Sequence, residues 1–137
     1  ELAEETSITE CRLTYKGLVT WTVDGERLGG MYLYLGELEH SLQLPYETPV
    51  KTPEGILDWK SVEWIMHPRN AGVATNIPIF LDKLLNDAVC YDHHCTYAGG
   101  RLAAHASTPI DADTEQLERT NAYLSRAYAN LLSSTAL

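Results

Sequence analysis

With 137 residues, 45% of them apolar, the chain has material for one globular domain with a real core and is too short for two comfortable ones. Its 10 Lys and Arg stand against 19 Asp and Glu, a net charge of −9, which argues against nucleic acid and anionic lipid surfaces as partners. No apolar stretch approaches a membrane span and no charged-then-apolar signal segment opens the chain, so a soluble protein without membrane insertion is expected.

Arg12 to Val23 alternates, with Val19, Trp21 and Val23 on one face and Thr20 and Thr22 on the other, which predicts a half-buried strand. Asp24-Gly25 supplies a tight turn. Met31, Leu33 and Leu35 then alternate with Tyr32 and Tyr34, completing an antiparallel hairpin in which Gly29-Gly30 reads as a bulge. Pro45, Pro49 and Pro53 mark an extended connection, after which Asp58 to Met66, carrying Trp59 and Trp64, resumes as a third strand. His67-Pro68, Gly72 and Asn76-Ile77-Pro78 predict a loop leading into a helix capped by Thr75 or Asn76.

That helix is predicted from Phe80 to about Cys95. At about 100° per residue, Leu81, Leu84, Leu85, Ala88, Asp92 and Cys95 share one arc, which sets a carboxylate in an apolar stripe. Such a group needs hydrogen bonds, an ion pair, a metal or a proton. Gly99-Gly100 ends the helix and opens a loop reaching Pro109. A second helix, from about Asp111 to Leu132, carries Leu117, Leu124, Tyr128 and Leu131 on one stripe, with Asp113 either projecting onto it or capping its start. Antiparallel packing of the two helices would bring Asp92 and Asp113 together. The expected fold is α+β, a small antiparallel sheet from the first half packed against two antiparallel helices from the second. It is read as a single domain over 1–137, with 1–67 mainly β, 68–79 a loop and 80–137 mainly α.

Cys11, Cys90 and Cys95 form no CxxC pair and are an odd number, which favours reduced thiols, and Cys95 reads as a packed hydrophobe. The densest chemical cluster is Asp92-His93-His94-Cys95, with His105 beyond it. On a regular helix His93 and His94 diverge. A zinc site at Asp92 and His94 would therefore require local unwinding, and calcium would draw on Asp92 with loop carbonyls. No GxSxG elbow supports a serine nucleophile. An Asp-His pair that activates water is the better hydrolytic reading, with Asp92 orienting His105 or His67 as general base, and Asp92, Asp113 and His105 are the candidate catalytic residues.

Gly72-Val73-Ala74-Thr75-Asn76-Ile77-Pro78, then Ala88-Val89-Cys90-Tyr91-Asp92 with Tyr97, then Ala112-Asp113, resembles a family of small bacteriophage and prophage proteins of uncharacterised function. That family typically shows Thr-Asp-x-x-Ser-x-Pro, a helix bearing His-Asp-x-x-Tyr and a later Ala-Asp entering a helix. Asp92 and Asp113 take the places of the motif aspartates, whereas Tyr91 stands where the motif histidine would be. The helical pattern is also similar to secreted phospholipases A2, which implies a calcium-assisted hydrolase, but this chain lacks their disulfides and the matching histidine. The resemblance implies a phage structural or assembly protein, virion- or tail-associated, soluble in the virion or in the host cytoplasm during assembly. Its partners would be other phage proteins or a second copy, with Tyr32, Tyr34 and Trp59 as contacts. Asp92 would lock the helices, with no cofactor. The alternative is a small hydrolase acting on lipid or cell-wall material, using Asp92, Asp113 and His105, with calcium or zinc.

Overall fold

A computed structural model describes residues 1–38 and 46–132. Its contacts divide the chain into two compact units, one of Glu1–Leu13 and Gly36–Val73, the other of Thr14–Leu35 and Ala74–Leu137. Pro45, predicted to mark an extended connection, lies outside the described residues.

The first unit holds helix α1 (Leu2–Thr6), the outer ends of β1 (Arg12–Val23) and β2 (Arg27–Glu37), the two-stranded sheet β3 (Val50–Thr52) with β4 (Gly55–Leu57), and the one-turn helix α2 (Val62–Ile65). The Arg12 guanidinium pairs with the Glu37 carboxylate across the strand ends. The strand predicted for Asp58–Met66 does not form, because Ser61 caps α2, its hydroxyl accepting from the Trp64 N–H at 3.1 Å.

The second unit is built on a four-stranded sheet in the order β2-β1-β5-β6. The α+β class is as expected, but the sheet is mixed: β1 runs parallel to β5 (Cys90–Ala98), which pairs antiparallel with β6 (Arg101–Ile110). The predicted Phe80–Cys95 helix is therefore corrected. Helix α3 covers only Ile77–Asn86 and stops at Asp87, whose backbone turns to φ −92° and ψ 140°. From Val89 the chain is rich in aromatic and short polar side chains and enters a strand. Gly99 and Gly100, at φ 56° and 76°, form the two-residue turn into β6, where a loop was expected. Residues 90–110 are thus a β-hairpin inside the stretch predicted as mainly α. The second predicted helix is likewise shorter, a 3₁₀ turn over Ala112–Glu115 followed by α4 (Leu117–Ala127) and α5 (Ala129–Leu132).

The predicted first hairpin forms, its turn made by Asp24 and Gly25 at φ 50° and 72°. Asp24 also ties the two hairpins together: its N–H donates to Tyr97 O and its Oδ1 accepts from Gly99 N–H, both at 2.9 Å.

Adjacent strand residues point to opposite faces, so the partners of Asp92 and His93 show what covers each side. His93 stacks on Phe80 of α3 at 5.6 Å, whereas Asp92 bonds to Tyr123 of α4. The two helices lie on opposite faces of the sheet and are not packed neighbours. No described helix is long and apolar enough to cross a membrane.

Candidate functional site

β1 and β5 occupy the centre of the sheet, and their parallel register sets Leu18 beside Asp92 and Thr20 beside His94. Asp92, Thr20 and His94 therefore share one face, under α4. Asp92 is 1% exposed, and both its oxygens are engaged. Oδ1 accepts from the Thr20 hydroxyl at 2.6 Å, and Oδ2 accepts from Tyr123 OH at 2.7 Å and from Tyr128 OH. Bonds of hydroxyls to a charged acceptor are the stronger kind, and three of them compensate the desolvation of the carboxylate.

Counting protons fixes the rest of the network. Tyr128 gives its only hydroxyl proton to Asp92, and Thr20 gives its own to Asp92 as well. The contact of Thr20 Oγ1 with His94 Nδ1, at 2.8 Å, must then be donated by the imidazole. His94 is thereby assigned as the Nδ1–H tautomer, with Nε2 turned toward the Thr22 hydroxyl at 3.4 Å. The Tyr128 ring lies 4.8 Å from the His94 ring and helps close it from water. Burial, reinforced by the adjacent Asp92 carboxylate, pushes the Tyr123 and Tyr128 hydroxyls well above the usual phenol range, so both stay protonated donors.

On the other face, His93 is also 1% exposed, held between Phe80 and Tyr91 with Nδ1 2.7 Å from Ser107 Oγ. Burial lowers the pKa of both histidines, and the opposing pull of Asp92 is the smaller influence. A folded-state pKa below the unfolded value of about 6.5 means that the unfolded chain binds more protons. Stability should be fully present above pH 6.5 and fall as pH drops below it. Urea midpoints between pH 8 and pH 5 would check this, and His93→Gln should flatten the slope; a midpoint that rises on acidification would contradict the assignment.

The predicted catalytic residues are not brought together. His105 is exposed and sits opposite Cys95 in the β5–β6 register, on the face away from Asp92. Asp113 lies in the 3₁₀ turn, where its backbone N–H is capped by Asp111 and its carboxylate faces Arg119 at 3.5 Å. The predicted metal pair, Asp92 and His94, does meet, but only through Thr20. The Asp92 oxygens and His94 Nδ1 already face hydroxyls, and among the described residues no three His, Cys, Asp or Glu side chains converge as a metal site. The residues do not fit a calcium or zinc ion. Cys90 and Cys95 are buried free thiols, and burial raises the pKa of both, away from the thiolate form that a nucleophile needs.

Of the aromatic residues predicted as contacts, Tyr32 and Tyr34 are half turned inward. Their hydroxyls meet Thr120 Oγ1 at 2.8 Å and the Glu115 carboxylate at 3.1 Å, and Tyr15 packs edge-on against both rings. Trp59 is 60% exposed, with its indole N–H donating to the Tyr46 carbonyl. Sequence reasoning placed Tyr128 on an apolar stripe and did not single out Thr20 or Tyr123. The available signal was chemical: a buried carboxylate calls for donors, and the second predicted helix carries Tyr123 and Tyr128 among its apolar positions.

Beside this network, between α4 and the β1–β2 hairpin, opens a cleft of about 510 Å³ with Leu18 and Thr20 in its floor. The chain matches no protein-family model, no curated protein and no solved structure.

Proposed function

We propose that this chain is a non-catalytic structural or assembly protein of the bacteriophage kind its motifs resemble, in which Asp92 locks α4 onto the sheet. The observation that supports this reading is the enclosure of Asp92: a carboxylate that is 1% exposed, with both oxygens accepting hydroxyl protons, does not open onto a space that a substrate could occupy. His94 Nδ1 is spent on Thr20, His105 faces away and Asp113 faces Arg119, so these candidates do not converge with Asp92 as a general acid–base pair. Partners would be other phage proteins or a second copy of the chain, in the virion or in the host cytoplasm during assembly. Trp59 is the most exposed of the aromatic contacts.

Thermal unfolding with and without calcium and zinc, beside Asp92→Asn, tests the proposal. An amide keeps one acceptor but turns an N–H₂ toward hydroxyl donors, so the variant should lose about 2 kcal/mol. Neither ion should change the melting temperature of either protein. A metal-dependent rise that disappears in Asp92→Asn would instead place an ion at this carboxylate and favour the hydrolase.

A further inference from the structure

The cleft beside the Asp92 network has a composition that selects a ligand. Leu18, Leu28, Met31 and Leu124 supply apolar walls, and none of the described residues that line it carries a charge, although the chain has a net charge of −9. The hydroxyls within it are already spent, Thr20 donating to Asp92, Thr120 to the Thr114 carbonyl and Tyr32 to Thr120, while Asn121 and Ser125 stand exposed at its rim. Water in such a space finds few partners and is readily displaced by an apolar body.

Two adjacent glycines on β2 separate packing from purpose. A Cβ at Gly29 would fall 2.3 Å from the Trp21 indole nitrogen, so packing alone forbids a side chain there. At Gly30 the nearest atom would be Thr20 Cγ2 at 3.4 Å, an ordinary contact, and its φ lies outside the left-handed region. Nothing in the core demands glycine at this position, and glycine within a strand costs about 0.5–1 kcal/mol relative to alanine. Its effect is to keep the cleft open. At the mouth, Met31, Leu117 and Leu132 are 49%, 68% and 41% exposed, so apolar side chains border the opening.

We propose that this cleft binds an uncharged small molecule with an apolar body, inserted between Leu18, Leu28 and Leu124 over Gly30 and hydrogen-bonded at the rim by Asn121 or Ser125. The volume of about 510 Å³ lies within the range of small-molecule sites.

Two probes that share one ring system decide the matter: neutral N-phenyl-1-naphthylamine and the anionic 1-anilinonaphthalene-8-sulfonate. The neutral probe should bind the full chain saturably at one site, at least about tenfold more tightly than the sulfonate. Gly30→Leu, which fills the cleft, should weaken neutral-probe binding at least about tenfold without lowering the urea midpoint. In an NMR titration of the unmodified protein, the amides of Gly30, Asn121 and Ser125 should move first, which decides the question even if Gly30→Leu does not fold. Absence of neutral-probe binding, equal binding of the two probes, indifference to Gly30→Leu, or shifts confined to other residues would each overturn the proposal. So would a dimer that Gly30→Leu converts to monomer, which would assign the cleft to a second copy.

Discussion

Replacing Asp92 by alanine should destabilise the protein by about 3–5 kcal/mol, a large fraction of the roughly 5–15 kcal/mol that holds a typical domain folded. The cost does not come from the lost carboxyl contacts alone. Thr20, Tyr123 and Tyr128 all direct their protons at this carboxylate, and without it three hydroxyl donors lose their acceptor under a helix that admits little water. Tyr123→Phe and Tyr128→Phe should each cost less, about 1–2 kcal/mol, because each removes one donor and leaves Asp92 with two. The double variant should cost more than the sum of the two, since the second loss leaves the carboxylate with Thr20 alone. Urea unfolding of the four variants measures this directly. A loss below about 1 kcal/mol for Asp92→Ala would mean that the carboxylate is not the lock the hydrogen bonds describe.

The physics of Asp92 was more legible in the sequence than its secondary structure. A lone carboxylate within an apolar pattern had to be buried and partnered, and it is. Yet the same residue, awkward on the predicted helix, was itself the signal that the helix ended sooner. On a strand the awkwardness disappears, because Asp92 and His94 fall on one face and His93 and Cys95 on the other. Gly99-Gly100 is the same kind of two-residue turn as Asp24-Gly25, with both residues at positive φ. It is legible before Met31 and obscured before Arg101 because Leu81, Leu84 and Leu85 carry a helical period that extends past Asp87. The parallel pairing of β1 with β5 joins residues more than 70 positions apart, and no local pattern carries that information. Thr20 and Tyr123 were passed over for the same reason: each is unremarkable until the register sets it against Asp92.

That register depends on one glycine, and Gly17→Ala should be the most damaging small substitution in the chain. Gly17 lies opposite Tyr91, and a Cβ there would fall 2.0 Å from the Tyr91 carbonyl oxygen and 2.7 Å from its nitrogen, both backbone atoms that no rotamer change can move aside. Its φ of 118° adds a conformation that L side chains rarely adopt. It also reorients the strand, so that Tyr15 and Leu18 reach the α4 side while Lys16, between them, sends its ammonium to the Asp87 carbonyl at the end of α3. A methyl group must push β1 away from β5, and the residues displaced with it include Thr20, three positions on, which holds both Asp92 and His94. The expected loss is at least about 4 kcal/mol, or failure to fold. Gly25→Ala is the matched control: its φ of 72° is also left-handed, but nothing lies within 4 Å of the added carbon, so only the conformational cost of about 1–2 kcal/mol applies. Urea midpoints of the two variants measure the difference, and equal losses would show that the close approach of β1 to Tyr91 does not set the position of the network.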